Sequence, residues 1–246
     1  MGEELRALAR FVGELRLETV PDDVVRAARF CVLDTLGSAL GATRSREIRA
    51  ITAELEDWSG VGKNHRLASA WGQGTRTSLN NAVLVNGMLS HELELDDVHT
   101  ASKSHVGAVV VPAAWTVADA MDLGGKELLE AVIAGYEVMG RVGRAMDVAS
   151  NRKRGWHTTG VIGTFGAAAA AAKLWGLTEQ ETVNTFGIAG TQSSGLWAFL
   201  AEGTTCKKLH PARAALNGVT ACLLVKSGMT GAEHILDAAD GGLYQA

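Results

Sequence analysis

Cysteine is scarce in this sequence. Cys31, Cys206 and Cys222 are the three it has in 246 residues, and none stands in a Cys-x-x-Cys pattern. This leaves no disulfide framework and no thiolate set for zinc or an iron–sulfur cluster, and it suits a reducing compartment. Cys31 and Cys222, set in apolar helical text, read as core residues. Proline is equally rare, with three in the whole chain. Basic runs are missing too: no five or six consecutive Lys or Arg occur and the formal net charge is −4, which argues against a nucleic-acid surface. The longest apolar stretch, VIGTFGAAAAAAKLWGL, is interrupted by Lys173 and poor in Leu and Ile, so it reads as a buried helix and not a membrane span. The first twenty residues lack the apolar region of a signal peptide and any lipidation motif, so the expected location is the cytoplasm.

What the sequence does have is helical periodicity. Apolar residues recur at three-to-four spacing almost throughout, and sustained strand-like alternation is hard to find. The expected fold is all-α, a multi-helix bundle forming one domain over residues 1–246. The spacing predicts helices over 3–18, 21–40 with Pro21 and Asp22 at its start, 45–58 opened by Ser45, 77–94 opened by Thr77, 105–122, 126–147, 157–175, 178–190, 208–228 and 231–239. Thr178 with Glu181, and Thr230 with Glu233, have capping-box spacing. The segment 59–76 is the most loop-like. Many of the 29 glycines fall inside helices, as in GVIGTFGAAAAAA; each costs about 1 kcal/mol against Ala there, and close approach of helices is what would offset it.

Three segments interrupt this helical text with ionisable residues: 91–105, 152–159 and 202–210. The first gathers Glu94, Asp96, Asp97, His99, Lys103 and His105 in a loop between two helices, where a histidine oriented by an Asp could donate to a substrate carboxylate. The same composition suits a solvated loop whose Asp residues cap the next helix. His91, His99 and His105 follow no familiar metal-ligand spacing, although a helical metalloenzyme using this loop is a third reading. In the second segment His157 sits at a helix start, where free N–H groups favour an anion. In the third, Lys207, Lys208 and His210 precede a helix with Pro211 and Arg213 in its first turn, a cationic clamp or a basic surface loop.

Four stretches together, HELELDDVHTASKSHVGAVVVPAA, GKELLEAVIAGYEVMGRVGRAM, GWHTTGVIGTFGAAAAAAKLWGLTEQETVNTFGIAGTQSSGLW and KKLHPARAALNGVTACLLVKSGMTG, resemble the MmgE/PrpD family, which includes 2-methylcitrate dehydratase, cis-aconitate decarboxylase and iminodisuccinate epimerase. Their order and spacing fit from about residue 5 to 236. The resemblance implies an all-α domain followed by a smaller α/β lid domain, a homodimer, and no metal or organic cofactor. It implies a lyase or isomerase that moves a proton beside a carboxylate of a small di- or tricarboxylate, with dehydration first and decarboxylation or epimerisation as the other outcomes. It places catalytic groups at Asp96, Asp97, His105, His157 and Lys207, and substrate-binding groups at Glu94, His99, Lys103, Thr158, Lys208 and His210.

The departures shape the expectations. Family members are about twice this length, and this sequence reaches DAADGGLYQA where the helical domain hands over to the lid. A lysine, a histidine and a tyrosine from the family's later part have no counterpart; Val106 replaces a usual proline and Ala212 a common glycine. Two further readings follow: half of a split enzyme needing a separate lid polypeptide, and a non-enzymatic helical module for dimerisation or binding.

Overall fold

The computed structural model describes residues 2–57 and 67–246. In chain order the helices and strands are α1 (Glu3–Glu14), α2 (Asp22–Gly41), α3 (Arg46–Asp57), β1 (Leu67–Ala70), β2 (Thr75–Ser78), α4 (Leu79–His91), α5 (Gly107–Met121), α6 (Gly125–Ala145), α7 (Val148–Lys153), α8 (Thr158–Trp175), α9 (Glu179–Thr191), α10 (Phe199–Glu202) and α11 (Leu209–Lys226). The domain is helical, as the periodicity predicts, apart from one small antiparallel hairpin of β1 and β2.

The hairpin pairs Leu67 with Ser78 and Ala70 with Thr75. Gly72 and Gly74 turn it at φ 64 and 74, a left-handed backbone that glycine reaches without strain. It occupies part of the stretch read as loop; the rest of that stretch lies outside the described residues. Ser78, not Thr77, caps α4, its side chain accepting from Asn81 N–H. The capping box at Thr178 and Glu181 is formed as expected. The one at Thr230 is not, and 231–239 is a series of turns. Glu233 is drawn away to Arg6 of α1, 2.6 Å off, and Gly231 lies so close to α9 that a Cβ there would meet the Asn184 carbonyl at 2.2 Å.

α8 is the central helix, with α5, α6, α9 and α11 packed around it. Residues 158–172 of α8 are all buried, which is why that text is so rich in Gly and Ala: neighbours on every side leave room for little else. Lys173, the charge that interrupts the run, reaches the Leu15 carbonyl and lies 3.4 Å from Glu130, whose other oxygen accepts from Leu17 N–H. It thus fastens the central helix to the link between α1 and α2. Cys222 is buried as expected, whereas Cys31 is half-buried and Cys206 exposed. Among the described residues no helix is long and apolar enough to cross a membrane.

Candidate active site

α4 ends at His91 and α5 begins at Gly107; the acidic loop lies between them. Its two neighbouring carboxylates divide their partners. Asp97 accepts from Gly107 N–H (2.8 Å) and from the Tyr136 hydroxyl of α6 (2.8 Å), while its own N–H donates to Asp34 of α2 (3.0 Å). It therefore caps the first turn of α5 and ties the loop to two helices. Burial, with Asp96 and Asp34 nearby, outweighs those donors and raises its pKa.

Asp96 instead faces two imidazoles. Its oxygens lie 2.9 and 3.0 Å from His91 Nδ1, and one of them makes a 2.9 Å ion-pair contact with His105 Nδ1. Burial alone would raise the Asp96 pKa, but the two histidines overcome it and hold the carboxyl at about 2. For His105 burial acts downward, and the bond to Asp96 reverses it, so its pKa is raised and the imidazolium favoured. The His105 backbone N–H donates to Thr159 Oγ1 (3.1 Å), which clips the loop to the first turn of α8.

The start of α8 meets the start of α11 through missing side chains. A Cβ on Gly160 would lie 2.5 Å from the Ser194 carbonyl oxygen and 3.3 Å from His210 Cβ; on Gly163 it would lie 2.9 Å from Ala214 Cβ. This approach brings His157, just before α8, to His210, with their Nδ1 atoms 2.9 Å apart. Burial, with smaller contributions from His210, His91, Lys207 and His105, lowers the His157 pKa to about 3, so the ring is neutral at physiological pH. His210 is shifted in the same direction, again by burial first.

Lys207 stands on the 3-10 turn Thr205–Lys208, its Nζ 2.5 Å from Glu94. Burial works against ionised Glu94 and the lysine outweighs it, so the carboxyl pKa is lowered. Thus Glu94 with Lys207, Asp96 with His105, and His157 with His210 are three contact pairs within electrostatic reach of one another, and the start of α8 beside them favours an anion.

Other expected residues lie elsewhere. Lys208 is buried and points to Glu92 and to Glu47 (3.0 Å), with Thr205 and Ser45 adding hydrogen bonds to the same carboxylates; it anchors the turn that presents Lys207. His99 bonds Ser102 Oγ (2.7 Å) and rests on α6 at Gly140. Lys103 is exposed at φ 47, and Thr158 is buried in the first turn of α8 while its neighbour Thr159 makes the contact to the loop. Sequence reasoning weighed His91 only as a metal ligand and missed its pairing with Asp96: it ends an apolar helix, and helical text does not show that the loop folds back on it. Among the described residues, His91, Asp96 and His105 are the group whose donor atoms come close enough to share a metal ion, all within 4.8 Å. Both Nδ1 atoms lie against Asp96 oxygens, a carboxylate held between two imidazoles, while His91 Nε2 is buried without a hydrogen-bond partner.

The family model of the MmgE/PrpD N-terminal domain matches residues 6–246. The chain belongs to the MmgE/PrpD family. Its curated MmgE/PrpD relatives include a cis-aconitate decarboxylase-like protein of Aspergillus oryzae, 33% identical over 248 residues that cover 98% of this chain and 50% of that one. Human cis-aconitate decarboxylase is 30% identical, covering 94% of this chain and 48% of its own, and that of Aspergillus terreus 26%, covering 97% and 49%. The chain spans about half the length of the MmgE/PrpD relatives it matches.

Proposed function

We propose that this chain carries the helical part of a lyase- or isomerase-type site acting on a small di- or tricarboxylate by proton transfer beside a carboxylate. The observation that supports this reading best is the convergence of His105, His157 and Lys207 on the first turn of α8, with Asp96 holding His105 as the charged partner. Removing a proton or CO₂ from a carbon next to a carboxylate leaves an electron pair that spreads into that carboxylate, and the added negative charge needs a cationic surround in the transition state. His105 and Lys207 supply it. Neutral His157 serves at its Nε2 as donor to the substrate or as acceptor of its proton. The relatives named cis-aconitate decarboxylases favour decarboxylation over the dehydration that the sequence resemblance put first.

NMR of the purified chain in D₂O with 2-methylcitrate, citrate, cis-aconitate and iminodisuccinate tests this. Deuterium appearing beside a carboxylate, or product formation, that is lost in Lys207→Ala is the expected result. A folded chain inert towards every acid, alone and with the remaining part of a longer relative added, would overturn it. Activity only after that addition would identify the split arrangement with a separate lid polypeptide.

A second copy of the chain is proposed as partner, as the resemblance implied. The outer stripe of α2 exposes Phe30 (63%) and Leu33 (66%), beside Leu95 (70%), around a groove of about 520 Å³ that includes Gly37 and Gly41. Arg26 and Asp34 lie four residues either side of Phe30, so two antiparallel copies of α2 crossing at Phe30 would set each Arg26 opposite an Asp34.

A further inference from the structure

His157 and His210 meet through the same ring atom, Nδ1 to Nδ1, at 2.9 Å. A neutral imidazole has one N–H and one lone pair, so a hydrogen bond between two like atoms requires opposite tautomers: one ring carries its hydrogen on Nδ1, the other on Nε2. Two imidazoliums cannot share this contact, because both Nδ1 hydrogens would point at each other across like charges.

The surroundings fix both rings. The His157 backbone N–H donates to the Gly195 carbonyl (2.9 Å), and Gly195, at φ 115, lies so near that a Cβ there would come within 3.1 Å of His210 Nδ1. Trp197 and Phe199 stand edge-on to His157 with ring centroids 5.2 and 5.6 Å away, and Phe199 edge-on to His210 at 5.4 Å. The Arg152 guanidinium covers the Trp197 ring at 4.0 Å. These contacts hold the two planes so that the Nδ1 atoms remain opposed.

We propose that His210 is a positioning residue: through Nδ1 it selects the tautomer of His157, and so decides whether His157 Nε2 offers a hydrogen or a lone pair. The charged or chargeable groups facing the pair are His91 at the end of α4, His105 in the acidic loop and Lys207 on the 3-10 turn. His157 is buried and His210 half-buried, and burial lowers the pKa of each, so the pair stays uncharged near neutral pH and the tautomer is what distinguishes its states. Its part in turnover rests on the carboxylate reading above; the tautomer lock does not, and its test needs no substrate.

The experiment is a long-range ¹H–¹⁵N spectrum of the full chain labelled in histidine, near neutral pH. The expected result is one ring of the pair as the Nδ1–H tautomer and the other as Nε2–H. Finding both as Nε2–H, the form common in water, would overturn the proposal. His210→Phe keeps a ring and removes the Nδ1 partner; His157 should then lose its single tautomer, while His210→Gln, whose amide can donate or accept at the same place, should restore it. An unchanged His157 spectrum in folded His210→Phe would also sink the idea. Should that variant fail to fold, the wild-type spectrum and His210→Gln decide alone.

Discussion

Asp96 lies 2.9 Å from His105 Nδ1 while also bound to His91 Nδ1, so one buried carboxylate stands between two imidazoles and favours the charged form of His105. Asp96→Asn keeps the shape and removes the charge. The His105 pKa should then fall, since burial alone pushes it down, and ring-proton NMR titration reads the shift. In the parent, the carboxyl is held at about 2 against an ordinary 3.8, which contributes about 2 kcal/mol of stability above pH 4 and loses it as pH falls towards 2. Denaturation midpoints measured from pH 5 down to 2 should fall less steeply for Asp96→Asn than for the parent.

His157 works in the same direction of pH for a different reason. Its folded pKa of about 3 lies below the ordinary 6.5, so between these values the unfolded chain takes up a proton that the folded chain refuses. Stability from this group is complete above pH 6.5 and declines by about 1.4 kcal/mol per unit as pH falls to 3. His105, raised instead, contributes stability below pH 6.5 that disappears as pH rises through its folded pKa. His157→Phe should flatten the acid side of the stability profile, and a curve as steep as the parent's would assign the slope to other groups.

Adjacent lysines should behave oppositely. Lys208→Met strips the buried Oε2 of half-buried Glu92 of its cation and should cost about 3 kcal/mol in urea unfolding. Lys207→Ala breaks a partly exposed pair with Glu94 and should cost no more than about 1 kcal/mol, while acid turnover is lost. Equal stability losses in the two variants would contradict the anchoring role given to Lys208.

Gly160→Ala forces a methyl to within 2.5 Å of the Ser194 carbonyl and should cost about 1–3 kcal/mol as the contact of α8 with the segment after α9 opens. Gly13→Ala in α1 meets nothing within 4 Å and should instead gain up to about 1 kcal/mol from helix propensity. Thermal melts of the two variants separate close packing from propensity as the reason for a helical glycine.

The α2 stripe predicts a dimer in sedimentation velocity that Phe30→Glu with Leu33→Glu converts to monomer. A parent already monomeric at micromolar concentration would remove the second copy from the account.

Most of this arrangement could be read in the sequence because it is periodic. The 3.6-residue pattern marks α8, and the loop's charge density marks Asp96 and His105. Features set by distant partners were invisible. Glu233 has the spacing of a cap, yet Arg6 lies 227 positions away and takes it. The hairpin strands are four residues each, too short for alternation to show, and only the glycines between them hint at a turn. Lys207 and Lys208 are identical in text; what separates them is the placement of Glu94 on one side and of Glu92 with Glu47 on the other.

A single peptide unit separates Asp96, which favours the charged form of His105, from Asp97, which is fastened to Asp34 of α2 and Tyr136 of α6. The loop therefore behaves as a short lever whose far arm is bolted to α2. The same helix carries Phe30 and Leu33 on its outer stripe, so one α-helix bears both the anchor of the acidic loop and the bundle's exposed apolar face.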